Sequence, residues 1–178
     1  MYEPFECRTP GVDELRHERE TALAMVTRLA LAKARSVAVQ SPDAWVIGSD
    51  QAAVLANGAR EPVVLGKPGT SARCIEQLRE ASGHAITFLT AVAVARGRDD
   101  SAFEFLDKTR VTFRVLDEAT IGRYVARESP LDCAGGFKCE GLGISLCESI
   151  ESLDPTALVG LPLIRLCGIL RQVGYVVP

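Results

Sequence analysis

The sequence predicts an α/β protein whose sheet is mixed rather than purely parallel. Two long apolar stretches, residues 84–96 and 101–116, are separated by the charged turn GRDD and predict an antiparallel pair of strands. Stretches with a helical spacing of apolar residues precede and follow this pair. The chain therefore contains both helices and strands, with at least one long antiparallel pair of strands.

The first helix is predicted over residues 17–39, where apolar residues recur at three- and four-residue spacing. Its apolar stripe comprises Leu23, Val26, Ala30, Lys33 and Val37. Lys33 is unusual there. Its stem could pack while its ammonium group reaches solvent, or it could point into a site that holds anions. Spacing alone favours the first explanation.

The remaining elements follow from local signals. Residues 44–55 predict a central strand, and Asn57-Gly58 predicts a hairpin turn after it. The other predicted elements are a strand from Val63 to Gly66, a helix over 71–82 capped by Thr70 or Ser71, the two long strands, a helix over 117–129 capped by Asp117, a loop followed by a strand within 131–152, and a helix over 161–174.

Composition narrows the class of protein. With 178 residues the chain is predicted to form a single domain, 1–178, and its apolar runs are too short to span a bilayer. The net charge of −3 offers no broad basic surface for nucleic acid. Six cysteines without a C-x-x-C pair, and no visible signal peptide, lead us to expect reduced thiols and a cytoplasmic location.

Several familiar catalytic motifs are absent from the sequence. The stretch VIGSDQA lacks the G-x-S-x-G of a nucleophile elbow, and GKP at residues 66–68 lacks the rest of a P-loop. The stretch GLGISL lacks the third glycine of a dinucleotide fingerprint, and HERET lacks the second histidine of a zinc protease. These four reaction classes lose most of their support.

Polar residues in unusual settings mark the candidate site. Asp50 interrupts the predicted central strand, where it could be a functional carboxylate or a buried one held by backbone N–H groups. Lys67, between Gly66 and Pro68, could equally be an exposed turn residue. Lys138 and Glu140 lie among four glycines in AGGFKCEGLG, which could approach a ligand closely or simply be flexible.

One carboxylate and three lysines (Lys33, Lys67, Lys138) suit a phosphate ester bound together with a divalent cation. Carboxylates hold Mg²⁺, and lysines neutralise phosphate oxygens. The residues alone support a phosphate-handling site and nothing narrower.

The segments VDE, RLALAKA, GSDQ, GKP, AGGFKCEG and LVGLPL, in this order, resemble the Maf family of nucleoside triphosphate pyrophosphatases. The resemblance covers nearly the whole chain. It implies a Maf/ITPase-like α/β fold with an elongated mixed sheet flanked by helices, two lobes with a cleft, and a homodimer. It also implies hydrolysis between the α and β phosphates of a nucleoside triphosphate with Mg²⁺ or Mn²⁺.

The resemblance assigns roles to individual residues. Asp50 corresponds to the general base or the metal-linked carboxylate that activates water, and Glu14 to a second carboxylate near the metal. Lys33, Lys67 and Lys138 correspond to the phosphate-binding lysines. For Lys33 this reverses the preference that spacing alone gave.

Two further residues indicate a branch of the family. Gln51 in SDQ and Glu140 in KCEG resemble the branch acting on 7-methyl-GTP, in which Gln51 would line the base or sugar pocket. Methylation at N7 gives the purine a positive charge, and a carboxylate at Glu140 would complement that charge.

One family feature is missing. Members carry an S-x-S-P-x-R-R loop near the start, and the 178 residues contain no such loop, so the resemblance leads us to expect a domain that is short at its N-terminus. The resemblance therefore leads us to expect weakened activity. Two alternatives stay open: a non-hydrolysing nucleotide-binding regulator linked to cell division, and an inactive truncated form.

Overall fold

The computed structural model describes residues 5–56 and 62–177. These form one five-stranded sheet with the order β2-β1-β3-β4-β5. The strands are β1 (Val46–Leu55), β2 (Val63–Leu65), β3 (Ala85–Arg96), β4 (Ser101–Phe113) and β5 (Cys147–Glu151). The helices are α1 (Ala22–Ala38), α2 (Ser71–Ala81), α3 (Glu118–Glu128) and α4 (Leu163–Gln172).

The predicted α/β class is confirmed, and the sheet has helices on both faces. Its pairing differs from the expected mixture, because every strand pair in the described part of the chain is antiparallel. The physical reason is that β3 and β4 form a hairpin, and β1 pairs with β3 over ten residues in the opposite direction. The predicted turn at residues 57–58 lies outside the described residues.

Helix α1 covers the first face of the sheet, and small residues bring it closest to β1. Ala30 and Ala34 of α1 pack against the alanines of β3, and Gly48 of β1 leaves space for the helix backbone. A Cβ atom at Gly48 would lie 2.4 Å from the Ala30 carbonyl oxygen and 2.5 Å from the Ala34 nitrogen. The helix therefore lies unusually close to the strand that carries Asp50.

The second face of the sheet is covered in two parts. Helices α2 and α3 enclose a cluster around Phe88, Phe113 and Phe137, in which the Phe113 and Phe137 rings meet edge-on at 5.2 Å between centroids. Helix α4 covers the other part, where Leu166 packs on Phe105. The segment between β5 and α4 lies beside this second part, opposite α1.

Most element boundaries follow the predicted signals. The predicted caps Thr70 and Asp117 each accept a hydrogen bond from the first turn of their helix, and Thr21, which was not predicted as a cap, does the same for α1. The first helix begins at Ala22 rather than at residue 17, because Arg19 has φ of 59° and the chain turns there. Strand β4 ends at Phe113 rather than at residue 116, since the register with β5 shifts at this point.

Helix α1 is the longest of the described helices, with 17 residues. Among residues 5–56 and 62–177, no helix is both long and apolar enough to cross a membrane.

The close contact between α1 and β1 predicts a strong effect of the Gly48→Ala substitution. The added methyl group would collide with backbone atoms that cannot rotate away, so the free energy of unfolding should fall by about 1–3 kcal/mol or more. Urea unfolding followed by circular dichroism measures this change.

Gly122→Ala is the matched control, because a Cβ atom there meets nothing within 4 Å inside α3. This substitution should stabilise the protein slightly, by roughly 0.5–1 kcal/mol, through helix propensity. Equal effects of the two substitutions would contradict the close approach at Gly48.

Candidate active site

Three of the predicted site residues meet on the first face of the sheet. The Lys33 ammonium nitrogen lies 2.6 Å from Asp50 Oδ1 and 2.7 Å from Glu14 Oε1. Lys33 and Asp50 are nearly buried, with side-chain exposures of 16% and 11%, whereas the Glu14 side chain is 52% exposed. One cation is thus shared between two carboxylates at the margin of the core.

The fold explains how each member of this group is positioned. Asp50 lies two residues after Gly48 in β1, so both residues face α1. The close approach of α1 at Gly48 brings Lys33 over Asp50. Glu14 precedes α1 in a segment that Arg28 fastens to the helix. Arg28 donates to the Leu15 carbonyl oxygen at 3.1 Å and to both carboxylate oxygens of Glu20, at 2.7 and 2.8 Å.

The protonation of the three groups reflects their surroundings. Burial raises the pKa of Asp50, and the neighbouring Lys33 opposes this rise without cancelling it. The hydrogen bond from Lys33 lowers the pKa of Glu14. Burial lowers the pKa of Lys33, but its hydrogen bonds to Asp50 and Glu14 outweigh burial, so this pKa lies above its usual value. Asp50 therefore has the stronger tendency of the two carboxylates to take up a proton.

Lys67 lies on an exposed loop near the group. Its charge lowers the pKa of both Glu14 and Asp50. The loop is fixed from behind, because the Gly66 carbonyl oxygen accepts hydrogen bonds from Gly135 N and Gln77 Nε2, each at 3.2 Å. Lys67 thus adds a positive charge near Glu14 and Asp50, and its role in phosphate binding stays a prediction.

The structure does not bring Lys138 and Glu140 into contact with the Lys33 group. Lys138 pairs with Glu128 at 3.0 Å, and Glu140 is exposed. Their loop nevertheless adjoins the Lys67 loop, because Gly135 donates to Gly66. The two loops therefore form one continuous surface, and the roles of Lys138 and Glu140 in substrate binding stay predictions.

Gln51 points to the second face of the sheet, away from Asp50, because neighbouring residues of a strand face opposite sides. Its amide nitrogen donates to Thr90 Oγ1 at 2.9 Å and to the carbonyl oxygens of Ala157 and Leu158 at 3.1 and 3.3 Å. These contacts give Gln51 a structural function. Its expected contribution to the base pocket stays a prediction.

The carboxylates at this site suit a hard divalent cation. Lys33 bonds one oxygen of each, Asp50 Oδ1 and Glu14 Oε1. Mg²⁺ is commonly held by one or two carboxylates together with substrate phosphates. Within the described residues there is no group of three or more His, Cys, Asp or Glu side chains arranged for a metal. The donor set therefore fits a cation shared with a phosphate ligand better than one held by protein alone.

The six cysteines are all free thiols. Cys139, beside Lys138 and Glu140, has its pKa raised to about 11 by burial and by the Glu140 carboxylate. Burial likewise raises the pKa of Cys74 and of Cys147 to about 11.

Residues 134–143 form the glycine-rich loop. Sequence reasoning missed two residues that bond this loop, Tyr124 and Glu128. Both face this loop from α3, where Tyr124 bonds Lys138 N and Glu128 bonds Leu142 N. A usable signal was present. Glu128 continues the spacing of Ile121, Tyr124 and Val125, as Lys33 continues the apolar stripe of α1.

Because the Lys33 ammonium group bonds both Asp50 and Glu14, we expect Lys33→Met to lose stability to an extent that depends on pH. With both carboxylates charged, the variant should unfold about 1–3 kcal/mol more easily than the parent at pH 8. The difference should shrink as the pH falls from 4.5 towards the lower folded pKa of Glu14, because the parent loses over this range the stability that depends on ionised Glu14.

Urea unfolding at several pH values measures this difference, with Lys67→Met as the control, because exposed Lys67 should contribute little to stability. A stability loss in Lys33→Met that did not depend on pH would contradict the ion-pair explanation.

The contacts of Gln51 predict that Gln51→Ala lowers the free energy of unfolding by about 1–3 kcal/mol, since buried acceptors lose their donor. Gln40→Ala, which removes one exposed bond at the end of α1, is the control. An unchanged stability combined with altered base selectivity would instead support the base-pocket role expected from the resemblance.

The chain is similar in sequence to curated enzymes over almost its whole length. A protein of Alkalilimnicola ehrlichii named 7-methyl-GTP pyrophosphatase is 56% identical over 97% of this chain and 84% of its own length. Proteins with the same name from Xanthomonas campestris and Pseudomonas aeruginosa are 51% and 47% identical, each over 98% of this chain and 88% of their own length.

A family model also matches the chain. The model described as Maf-like protein matches residues 1–173, which contain Glu14, Lys33, Asp50 and the glycine-rich loop. The chain therefore belongs to the Maf family.

Proposed function

We propose that this chain is a nucleotide pyrophosphatase that hydrolyses 7-methyl-GTP, or a related modified nucleotide, to the monophosphate and pyrophosphate. The observation that carries the proposal is the pair of carboxylates, Asp50 and Glu14, gathered around Lys33 on one face of the sheet. The names of relatives that are 47–56% identical support the substrate.

In the proposed reaction, Asp50 is the general base. It accepts a proton from the water that attacks the α-phosphorus, the bond to the bridging oxygen breaks, and pyrophosphate leaves. The raised pKa of Asp50 suits this role, because a base works best when its pKa lies nearer to the working pH. Asp50 then returns the proton to solvent.

Lys33 also binds the triphosphate in this proposal. The negative charge of the triphosphate competes with Asp50 and Glu14 for the Lys33 ammonium group, so substrate binding loosens the contacts seen here. Lys67 and Lys138 would neutralise further phosphate oxygens from the neighbouring loops. Substrate binding would thereby free Asp50 for the proton transfer.

Asp50 and Glu14 would also hold the proposed divalent cation, Mg²⁺ or Mn²⁺. Such a cation supplies positive charge to the phosphate oxygens when it is bound. A homodimer and a cytoplasmic location, both expected from the sequence, complete the proposal.

Base selection belongs to Glu140 in this proposal. A carboxylate complements the positive charge of a 7-methylated purine and can accept hydrogen bonds from guanine N1–H and the N2 amino group. The exposure of Glu140 on the loop next to Lys67 supports this role, since the carboxylate is accessible to a ligand.

The test is pyrophosphate release with Mg²⁺ from 7-methyl-GTP, GTP, dTTP and UTP. Turnover should be greatest for 7-methyl-GTP, and Asp50→Asn should reduce it by about 10²–10⁴-fold, as expected for the loss of a general base. Asp43→Asn, which changes a carboxylate with an 85% exposed side chain, should leave turnover unchanged.

Two results would overturn the proposal. Full turnover by Asp50→Asn would remove Asp50 from the reaction. A folded parent that binds 7-methyl-GTP but releases no pyrophosphate would instead support the non-hydrolysing regulator.

A further inference from the structure

Helix α3 fixes the conformation of the glycine-rich loop through two side chains. Two side chains one turn apart, Tyr124 and Glu128, face the loop. The Tyr124 hydroxyl donates to the Gly136 carbonyl oxygen at 3.2 Å and accepts from Lys138 N at 3.0 Å. These two bonds hold the backbone from Gly136 to Lys138 in place.

Glu128 fixes the next part of the loop at two points. Its Oε1 lies 3.0 Å from the Lys138 ammonium nitrogen, and its Oε2 accepts a hydrogen bond from Leu142 N at 2.7 Å. Only 12% of its side chain is exposed. The hydrogen bond from Leu142 and the charge of Lys138 hold the pKa of Glu128 below its usual value, so the group is ionised at neutral pH.

The loop backbone is fitted closely around these contacts. A Cβ atom at Gly141 would lie 2.4 Å from Glu128 Oε2, and one at Gly143 would lie 2.3 Å from the Lys138 carbonyl oxygen. Gly143 N also donates to that carbonyl oxygen at 3.1 Å. Glycine at both positions is thus needed for the turn to close against Glu128.

Glu140 lies between the two points that Glu128 holds, Lys138 and Leu142. We infer that Glu128 is a positioning residue that sets the place of Glu140 and the direction of Lys138, and so controls the preference for a 7-methylated purine over an unmodified one. This inference rests on the proposed function. It assigns the selectivity of the site partly to a helix residue that touches no substrate.

Two substitutions separate the two contacts of Glu128. Glu128→Gln keeps an oxygen for the Leu142 amide but removes the charge that holds Lys138. It should raise KM for both 7-methyl-GTP and GTP and leave their ratio of kcat/KM nearly unchanged. Glu128→Ala removes both contacts, frees the turn, and should reduce that ratio by roughly tenfold, the size expected for the net contribution of one hydrogen bond.

Glu118→Ala is the matched control. Glu118 lies on the same helix and is bonded twice to Arg79, at 2.6 and 2.7 Å, but it is remote from the loop. It should leave KM and the selectivity ratio unchanged. Thermal unfolding of all three variants separates a change in selectivity from a general loss of structure.

Hydrogen exchange at the Leu142 amide, followed by NMR, tests the positioning without any turnover. The amide should be protected in the parent and in Glu128→Gln, and should exchange faster in Glu128→Ala. Equal protection in Glu128→Ala and the parent would overturn the inference, as would an unchanged selectivity ratio. A parent without turnover would sink the proposed function alone, because the exchange result still decides the role of Glu128.

Discussion

The close approach of α1 to β1 is the constraint on which the rest of the site depends. Helices usually pack on sheets through large side chains, but here Gly48, Ala30 and Ala34 leave only backbone and methyl groups at the contact. A lysine on that side of the helix then reaches a carboxylate on the strand without crossing solvent. Lys33 and Asp50 can therefore pair at 2.6 Å while both are largely withdrawn from water.

The side chains of β1 make different kinds of contact on the two faces of the sheet. Asp50 faces α1, whereas its neighbours Ser49 and Gln51 bond the backbone of residues 157–160 on the opposite side. Any displacement of β1 would move Asp50 and break these bonds together. The segment between β5 and α4 thus stiffens the strand that carries Asp50, although it lies behind the sheet.

Much of the fold could be predicted from the sequence, because apolar periodicity and capping residues act locally. Asp117 marked the start of α3 where the structure has it, and the antiparallel pair of long strands was visible from its connecting turn. The pairing of β1 with β3 could not be predicted in the same way, since no local signal specifies which strands become neighbours. The expected mixed sheet reflects that gap.

The candidate site, too, could be predicted only in part from the sequence. Lys33 and Asp50 were conspicuous because each places a charge within an apolar pattern, and the structure brings them together. The opposite direction of Gln51 follows from strand alternation, yet the role expected for it came from resemblance rather than from geometry. Glu128 went unnoticed because a carboxylate near a helix end is usually solvated, and its two loop contacts are long-range.

The raised pKa of the Cys139 thiol has a chemical consequence for the loop that carries Glu140. With a pKa of about 11, Cys139 is a thiolate in only roughly one molecule in ten thousand at neutral pH. Alkylating agents and peroxides react with thiolates, so this sulfur is a poor nucleophile despite its place beside Lys138. Iodoacetamide should therefore label the exposed Cys7 well before the partly buried Cys139.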